Sequence, residues 1–392
     1  KYGLNMKKIM LVLLIVAATS CPVIIWVLPA IIDGTMNPVT EHKQWPVSVE
    51  AQELHNSIIV GDWHSDSLLW NRDFLEAHDY GHVDLPRLQQ ANVAFQVLTA
   101  VTKTPSGMNY ESNSTEAHDK LTTLMVAQTW PIRTWTSIFE RALYQVERLQ
   151  SLQERAPDQV RHIKSKQDID DVIASRQSQT PLTGLLMGME GAHPLEGKIE
   201  NLDKLYDAGY RLIGLQHFFD NELGGSLHGE SNQGLTEFGK QVVREATAKN
   251  MIIDVAHSSH QTVKDVLALA DRPIVLSHTG IHKNCNSKRN IPGTLMQDIT
   301  NMGGVVGIGY WADVVCDNTP KGIVKAIKAG VDLLGINHVS LGSDYDGTIE
   351  SQFDTSELAA LTHEMLLQGF TNDDIKKVMG ENMVRVMKAN LK

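Results

Sequence analysis

Eight short apolar runs, four to seven residues each, constrain this chain more than any other feature. They fall at 58–61, 93–99, 184–189, 211–215, 251–255, 273–276, 304–308 and 338–341, and most are β-rich and bounded by turn residues. Continuous apolarity, rather than alternation, marks a parallel strand covered on both faces. Helix-like stretches lie between them at 116–128, 136–153, 201–209, 235–249, 262–270, 292–302 and 321–334, and two more follow at 355–369 and 371–391. Thr371, with Asp374 three residues on, reads as a helix start with an acidic first turn. Eight strands with helical returns predict an α/β fold, a single (β/α)8 TIM barrel rather than an open sheet. One interval is far longer. Residues 102–183, after the second strand, read as a mostly helical insertion that caps or flanks the barrel.

The chain has 392 residues, 42% of them hydrophobic, which is ample for a large core. Its formal net charge of -11 argues against a nucleic-acid partner, because that role wants a basic face. The first segment differs from the rest. After Met6-Lys7-Lys8, residues 9–32 carry no charge, enough helix to cross a bilayer. A signal peptide cleaved near Ala17-Ala18-Thr19-Ser20 and a lipoprotein-like signal using Cys21 are two readings. An uncleaved N-terminal apolar anchor is the third, and it is preferred because apolarity continues past Cys21; Pro22 and Pro29 are tolerated in membrane helices. Lys7 and Lys8 place the short N-terminal side in the cytoplasm, and the bulk outside it, periplasmic or extracellular. The expected division is therefore 1–35 anchor or signal peptide with a short flank, 36–56 linker and lead-in, and 57–392 the barrel. Pro38 and Pro46 break up the polar linker. The three cysteines, Cys21, Cys285 and Cys316, form no disulfide framework, and both a Cys285–Cys316 bridge and two free thiols stay open.

The polar residues at the strand ends carry the chemistry. Strand one runs into His64-x-Asp66, and residues two apart on a strand point the same way. Later apolar runs end at Glu190, His217, Asp254-Val-Ala-His257, His278 and Ser343-Asp344-Tyr345-Asp346. In a barrel these ends share one mouth, where such enzymes place their active sites. Each residue also has an ordinary reading: a core histidine for His257 (with His260 as the alternative ligand), a helix cap for His278, an arginine partner for Glu190, loop fixing for Asp344 and Asp346. Taken as a set they favour metal, since burying so many ionisable groups without one is costly. Two ions account for them better than one. The remaining histidines, among them His55, His78, His82, His193, His228, His282 and His338, are read as structural or exposed, with His193 closest to doubt because Glu190 is near.

These segments make the chain recognisable. It resembles the membrane dipeptidase (renal dipeptidase) family, zinc enzymes on a barrel of the metal-dependent hydrolase type. The shared segments are Asp62-Trp-His-Ser-Asp66, Gly81-His-Val-Asp-Leu-Pro-Arg87, Gly188-Met-Glu-Gly191, Gly214-Leu-Gln-His217, Asp254-Val-Ala-His257, Ser277-His278, Lys288-Arg-Asn-Ile-Pro292, Gly342-Ser-Asp-Tyr-Asp-Gly347 and Met379-Gly-Glu-Asn382. The likeness runs from about residue 57 to the end. It implies that His64 and Asp66 bind one zinc, His257 and His278 a second, and that Glu190 bridges them. It implies that His217 contacts substrate and polarises its carbonyl, that Arg289 holds the free carboxylate, and that Asp344 meets the amino end and passes a proton to the leaving amine. Lys288 stands where a second arginine is common, and Ser343 where glycine is frequent.

The expected reaction is hydrolysis of a dipeptide by a hydroxide held between two zinc ions per subunit, whose charge lowers the pKa of water toward neutral. The implied partners are a small dipeptide substrate and a membrane through the N-terminal segment, with room for a homodimer. A related amidohydrolase acting on N-acyl amino acids, lactones or β-lactam-like amides is the alternative. Many such relatives bridge their metals with a carbamylated lysine. Here no lysine follows a candidate strand, whereas Glu190 does. A non-catalytic surface binding protein on the same barrel would have lost ligands, and none is missing.

Overall fold

The computed structural model describes residues 27–178 and 180–392. Its nine strands are β1 (Val60–Asp62), β2 (Val93–Val101), β3 (Val160–His162), β4 (Thr183–Glu190), β5 (Tyr210–Gly214), β6 (Ile252–Asp254), β7 (Val275–Thr279), β8 (Val305–Ile308) and β9 (Val339–Leu341). All pairings are parallel, in the order β2-β1-β9-β8-β7-β6-β5-β4. Pairing of β2 with β4, from Phe95↔Gly184 to Val101↔Glu190, closes the ring. Eight strands thus form the barrel that the apolar runs predict. The ninth, β3, pairs only with the first residues of β4, Val160↔Thr183 to His162↔Leu185. It lies inside the insertion, and Val-Arg-His is too short and polar to stand out as an apolar run.

Alternation along the strands divides the core in two. Phe95 and Val97 of β2, Leu186 of β4, Leu212 of β5, Ile252 of β6 and Val305 of β8 cluster with Trp63, Met383, Val386 and Met387, so the last helix (Asn382–Asn390) contributes to this inner group. Leu98, Leu185, Met187, Ile213 and Ile253 sit at the alternate positions and belong to the larger cluster shared with the surrounding helices. The parity that buries Leu186 also sends Glu190, four residues later, into the barrel mouth. Ile252 does the same for Asp254 on β6.

The helical returns fall where the periodicity places them, for example Ile138–Arg155, Glu237–Ala248, His260–Leu269 and Pro320–Leu334. Thr371 and Asp374 form a complete capping box for the helix Asn372–Lys376. Val49–Ser57, within the expected linker, is a helix capped by Ser48. Its His55 lies between the Thr362 hydroxyl and the Ala91 carbonyl, which seats that helix on Ala359–Leu367. Residues 27–36 are helical as well, and Val39 bridges Ser351, so the lead-in is laid against the barrel.

Most of the apolar run 9–32, the Ala17–Ser20 region and Cys21 lie outside the described residues. Among the described residues no helix is long and apolar enough to cross a membrane. Cys285 and Cys316 are joined in a disulfide, which ties the loop after β7 to the segment after β8.

Candidate metal centre and substrate cavity

Three imidazoles converge on one carboxylate oxygen. Glu190 Oε1 is 2.9 Å from His257 Nε2, 3.4 Å from His278 Nε2 and 3.5 Å from His64 Nε2. The Nε2 atoms of His257 and His278 are themselves 2.9 Å apart. Asp66 and Asp344 each place an oxygen 3.6 Å from His64 Nε2, and His217 Nε2 lies 3.6 Å from the other oxygen of Glu190. All of these side chains except that of Asp344, which is 14% exposed, are nearly inaccessible to solvent. The mouth therefore gathers the eight residues for which the resemblance implies a metal or substrate role, save that Arg289 enters only through its contact with His257, 3.4 Å from Nη2.

The donor set suits a metal. Two ring nitrogens at 2.9 Å cannot both carry a proton toward each other, so at least one lone pair faces inward. Burial, reinforced by Arg289, holds His257 well below the usual imidazole range; burial, reinforced by His64, does the same for His278. Neutral imidazole is the form a metal ligand needs. Burial alone would raise Glu190, yet His217 and His64 beside it hold it well below the usual carboxylate range. Asp66 is pushed up by burial and then by Glu190, and Asp344 is pushed up by burial. A cation would relieve that crowding of carboxylates. Mixed nitrogen and oxygen donors on a rigid rim match zinc. Among the described residues, groups spaced to hold an ion are His64-Asp66-Glu190, Glu190-His217-His257 and His64-Asp254-His278. The first is the set expected for one ion, whereas His217 and Asp254 were given no ligand role in the sequence.

Two further carboxylates pin the strand ends. Asp62 accepts from the backbone N–H groups of His64 (2.9 Å) and Ser343 (3.0 Å) and from the Ser343 hydroxyl, fastening the end of β1 to the end of β9. Burial pushes Asp62 up to about 6. The Ser343 hydroxyl also reaches the His64 carbonyl at 3.0 Å, so the serine that replaces a frequent glycine adds a fastening. Asp254 accepts from the N–H groups of Ala256 and Ser277, joining β6 to β7 beneath His257 and His278. The Thr99 hydroxyl, on β2, donates to Asp66 Oδ1 at 2.6 Å. His257 and Asp344 both adopt left-handed backbone, φ 61° and 63°, a conformation that costs non-glycine residues energy and clusters at functional sites. Gly191, at φ 76°, lets the chain turn directly after Glu190; a Cβ there would lie 2.5 Å from His193 Nε2.

Other singled-out residues take different places. Asp346 points away from the cluster: it pairs with Arg72 and accepts from the His82 N–H, so it fixes the loop. His260 is exposed at the start of its helix, and His257 is the residue in the cluster. His193 stacks on Phe219 with ring centres 4.5 Å apart, and His228 is buried against the Tyr110 carbonyl. Lys288 pairs with Glu111 at the surface.

The cluster forms the floor of a cavity of about 800 Å³, within the range of small-molecule sites. Arg289 and Trp311 line it, together with the apolar Leu69, Val101, Leu121, Ile349, Ile32 and Met36. Arg289 is buried, donates to the His278 carbonyl at 2.8 Å, and has two other nitrogens, Nε and Nη1, without a partner among the described residues.

The chain is 25% identical over 362 residues to the dipeptidase aclJ of Aspergillus oryzae, covering 86% of this chain and 79% of that protein. It shares its fold with the probable dipeptidase PvdM from Pseudomonas aeruginosa (TM-score 0.71, 21% identity, 87% of this chain and 97% of the other). It also shares it with a metallo peptidase from Rhodobacter sphaeroides liganded with a phosphinate mimic of the dipeptide L-Ala-D-Ala (TM-score 0.68, 23% identity, 85% and 99%). Residues 48–392 match the membrane dipeptidase family (peptidase family M19), and the chain belongs to that family of dipeptide-hydrolysing metallopeptidases.

Proposed function

We propose that this chain is a dipeptidase that works with two zinc ions, one held by His64 and Asp66, the other by His257 and His278, with Glu190 between them. The convergence of His64, His257 and His278 on Glu190 carries this reading, because it sets one carboxylate beside both ligand pairs. Zinc bound there supplies a Lewis acid that activates water and polarises the peptide carbonyl. The protein's own groups do the rest. His217 stands beside Glu190, where an N–H donated to the carbonyl oxygen steadies the charge that develops there. Arg289 offers its unpaired nitrogens to the substrate carboxylate. Asp344, with an oxygen 3.6 Å from His64 Nε2, stands at the rim of the cluster, where its carboxylate takes the proton released by the activated water, passes it to the departing amine and receives the amino end of the substrate. Recognition of both ends limits the substrate to two residues.

The catalytic domain lies outside the cytoplasm in this reading, held to a membrane through the part of the apolar run that precedes Val27, since Ile32 is packed against the barrel. Lys7 and Lys8 set that orientation, and the Cys285–Cys316 disulfide belongs to an oxidising compartment. Pairing of two chains is read by sedimentation. The deciding experiment is a dipeptide panel on zinc-loaded protein, with D-residues at the C-terminal position and an N-acetylated control. Hydrolysis of free dipeptides with the acetylated control refused is expected. Hydrolysis of the acetylated compound alone would favour the N-acyl amino acid reading.

A further inference from the structure

Residues 27–37 do more than lead into the barrel. Ile32 and Met36 line the cavity that holds the metal cluster, and Ile32 packs on Leu69, Trp70, Val101 and Leu121. Leu28 and Ile31 are exposed and lie outside the cavity lining, whereas Met36 lines the cavity while remaining 38% exposed. Three fastenings hold the segment. The buried Asp33 accepts from Arg72 at 2.5 Å, and the other arm of Arg72 pairs with Asp346, two residues beyond Asp344. Asn37 Oδ1 accepts from the Thr348 N–H at 2.9 Å, and Val39 bridges Ser351. The segment is thereby bound to the loop that carries Asp344.

Strand order tells which part of a substrate it meets. Around the ring the strands run β2, β1, β9, β8, β7. Arg289 follows β7 and Asp344 follows β9, whereas Leu69 follows β1, Val101 ends β2 and Ile349 follows β9. The apolar arm of the cavity therefore opens beyond Asp344, on the side away from Arg289. A dipeptide with its carboxylate at Arg289 and its amino end at Asp344 sends its amino-terminal side chain into that arm. We propose that residues 27–37 form a wall of the substrate site, in which Ile32 and Met36 complete an apolar subsite for a large apolar side chain on the amino-terminal residue. The proposal rests on the dipeptidase reading above.

The test compares Phe-Ala with Gly-Ala in zinc-loaded protein. In Ile32→Ser and Met36→Ser the ratio of kcat/KM values, Phe-Ala over Gly-Ala, is expected to fall roughly tenfold, the scale of a lost apolar pocket contact. Ile31→Ser, on the outward face of the same helix, keeps the ratio of the unaltered protein. An unchanged ratio in both Ile32→Ser and Met36→Ser would overturn the proposal. Affinities of phosphinic analogues of the same two dipeptides, measured by calorimetry, report the same preference without turnover. If the unaltered protein hydrolyses neither dipeptide, the dipeptidase reading fails, and the analogue affinities still decide whether this wall selects apolar groups.

Discussion

Glu190 concentrates the chemistry of the cluster in one side chain. Loss of an outer-shell partner of a metal ligand typically costs ten- to a hundredfold. Replacing the proposed bridge, in Glu190→Gln, is expected to cost more than about a hundredfold in turnover and to lower zinc content; normal rate and normal zinc in that variant would contradict the bridge. Arg289→Ala removes a charged hydrogen-bonding partner, a loss of about 1.5–3 kcal/mol. That predicts a KM for dipeptides raised by roughly ten- to a hundredfold, with the larger effect on KM than on kcat, readable from initial rates. The residues gathered at the mouth were legible in the sequence because each follows an apolar run, where barrel geometry sends side chains to one rim. Thr99 was not, nor was the strand-pinning role of Asp62 and Asp254. A buried carboxylate that accepts backbone N–H groups leaves no pattern in the chain, and only the fold shows that Asp62 holds β1 to β9.

Among the elements, strongly apolar strands and long amphipathic helices were readable, and short polar ones were not. Val160–His162 is three residues long with a half-exposed arginine at its centre, and Val49–Ser57 buries only Ala51 and His55. Tertiary contacts rather than local pattern order both. The disulfide acts at this scale. It closes a loop of 31 residues that contains Arg289, the helix Gly293–Asn301 and β8. Removing such a cross-link frees the unfolded chain by about 3–4 kcal/mol. Cys316→Ser should lower unfolding stability by an amount of that order, measured in denaturant; an unaltered transition would show that the cross-link constrains nothing.

The whole molecule carries buried neutral histidines far from the metal centre. Burial holds His55 at about 4 and His162 at about 4, both below the 6.5 of an exposed imidazole. Between those values the unfolded chain binds protons that the folded chain refuses, so stability falls as pH drops from 6.5 to 4. Each group accounts for about 3 kcal/mol once the pH is below 4. The thermal midpoint of the protein should fall across that window, and His55→Gln and His162→Gln should flatten the fall; an identical slope in both would contradict this assignment. The barrel, its closure and the position of its mouth followed from eight apolar runs. The docking of the lead-in did not, because its Asp33–Arg72–Asp346 chain joins residues 39 and 274 positions apart. At this scale the central claim is a cage for two cations assembled from distant strand ends. Zinc titration of metal-free protein, followed by bound metal and by dipeptide turnover together, tests it most directly. Two zinc ions per chain, with turnover appearing as they bind, is the expected result; full turnover in the metal-free protein, or saturation without any gain in rate, would contradict it.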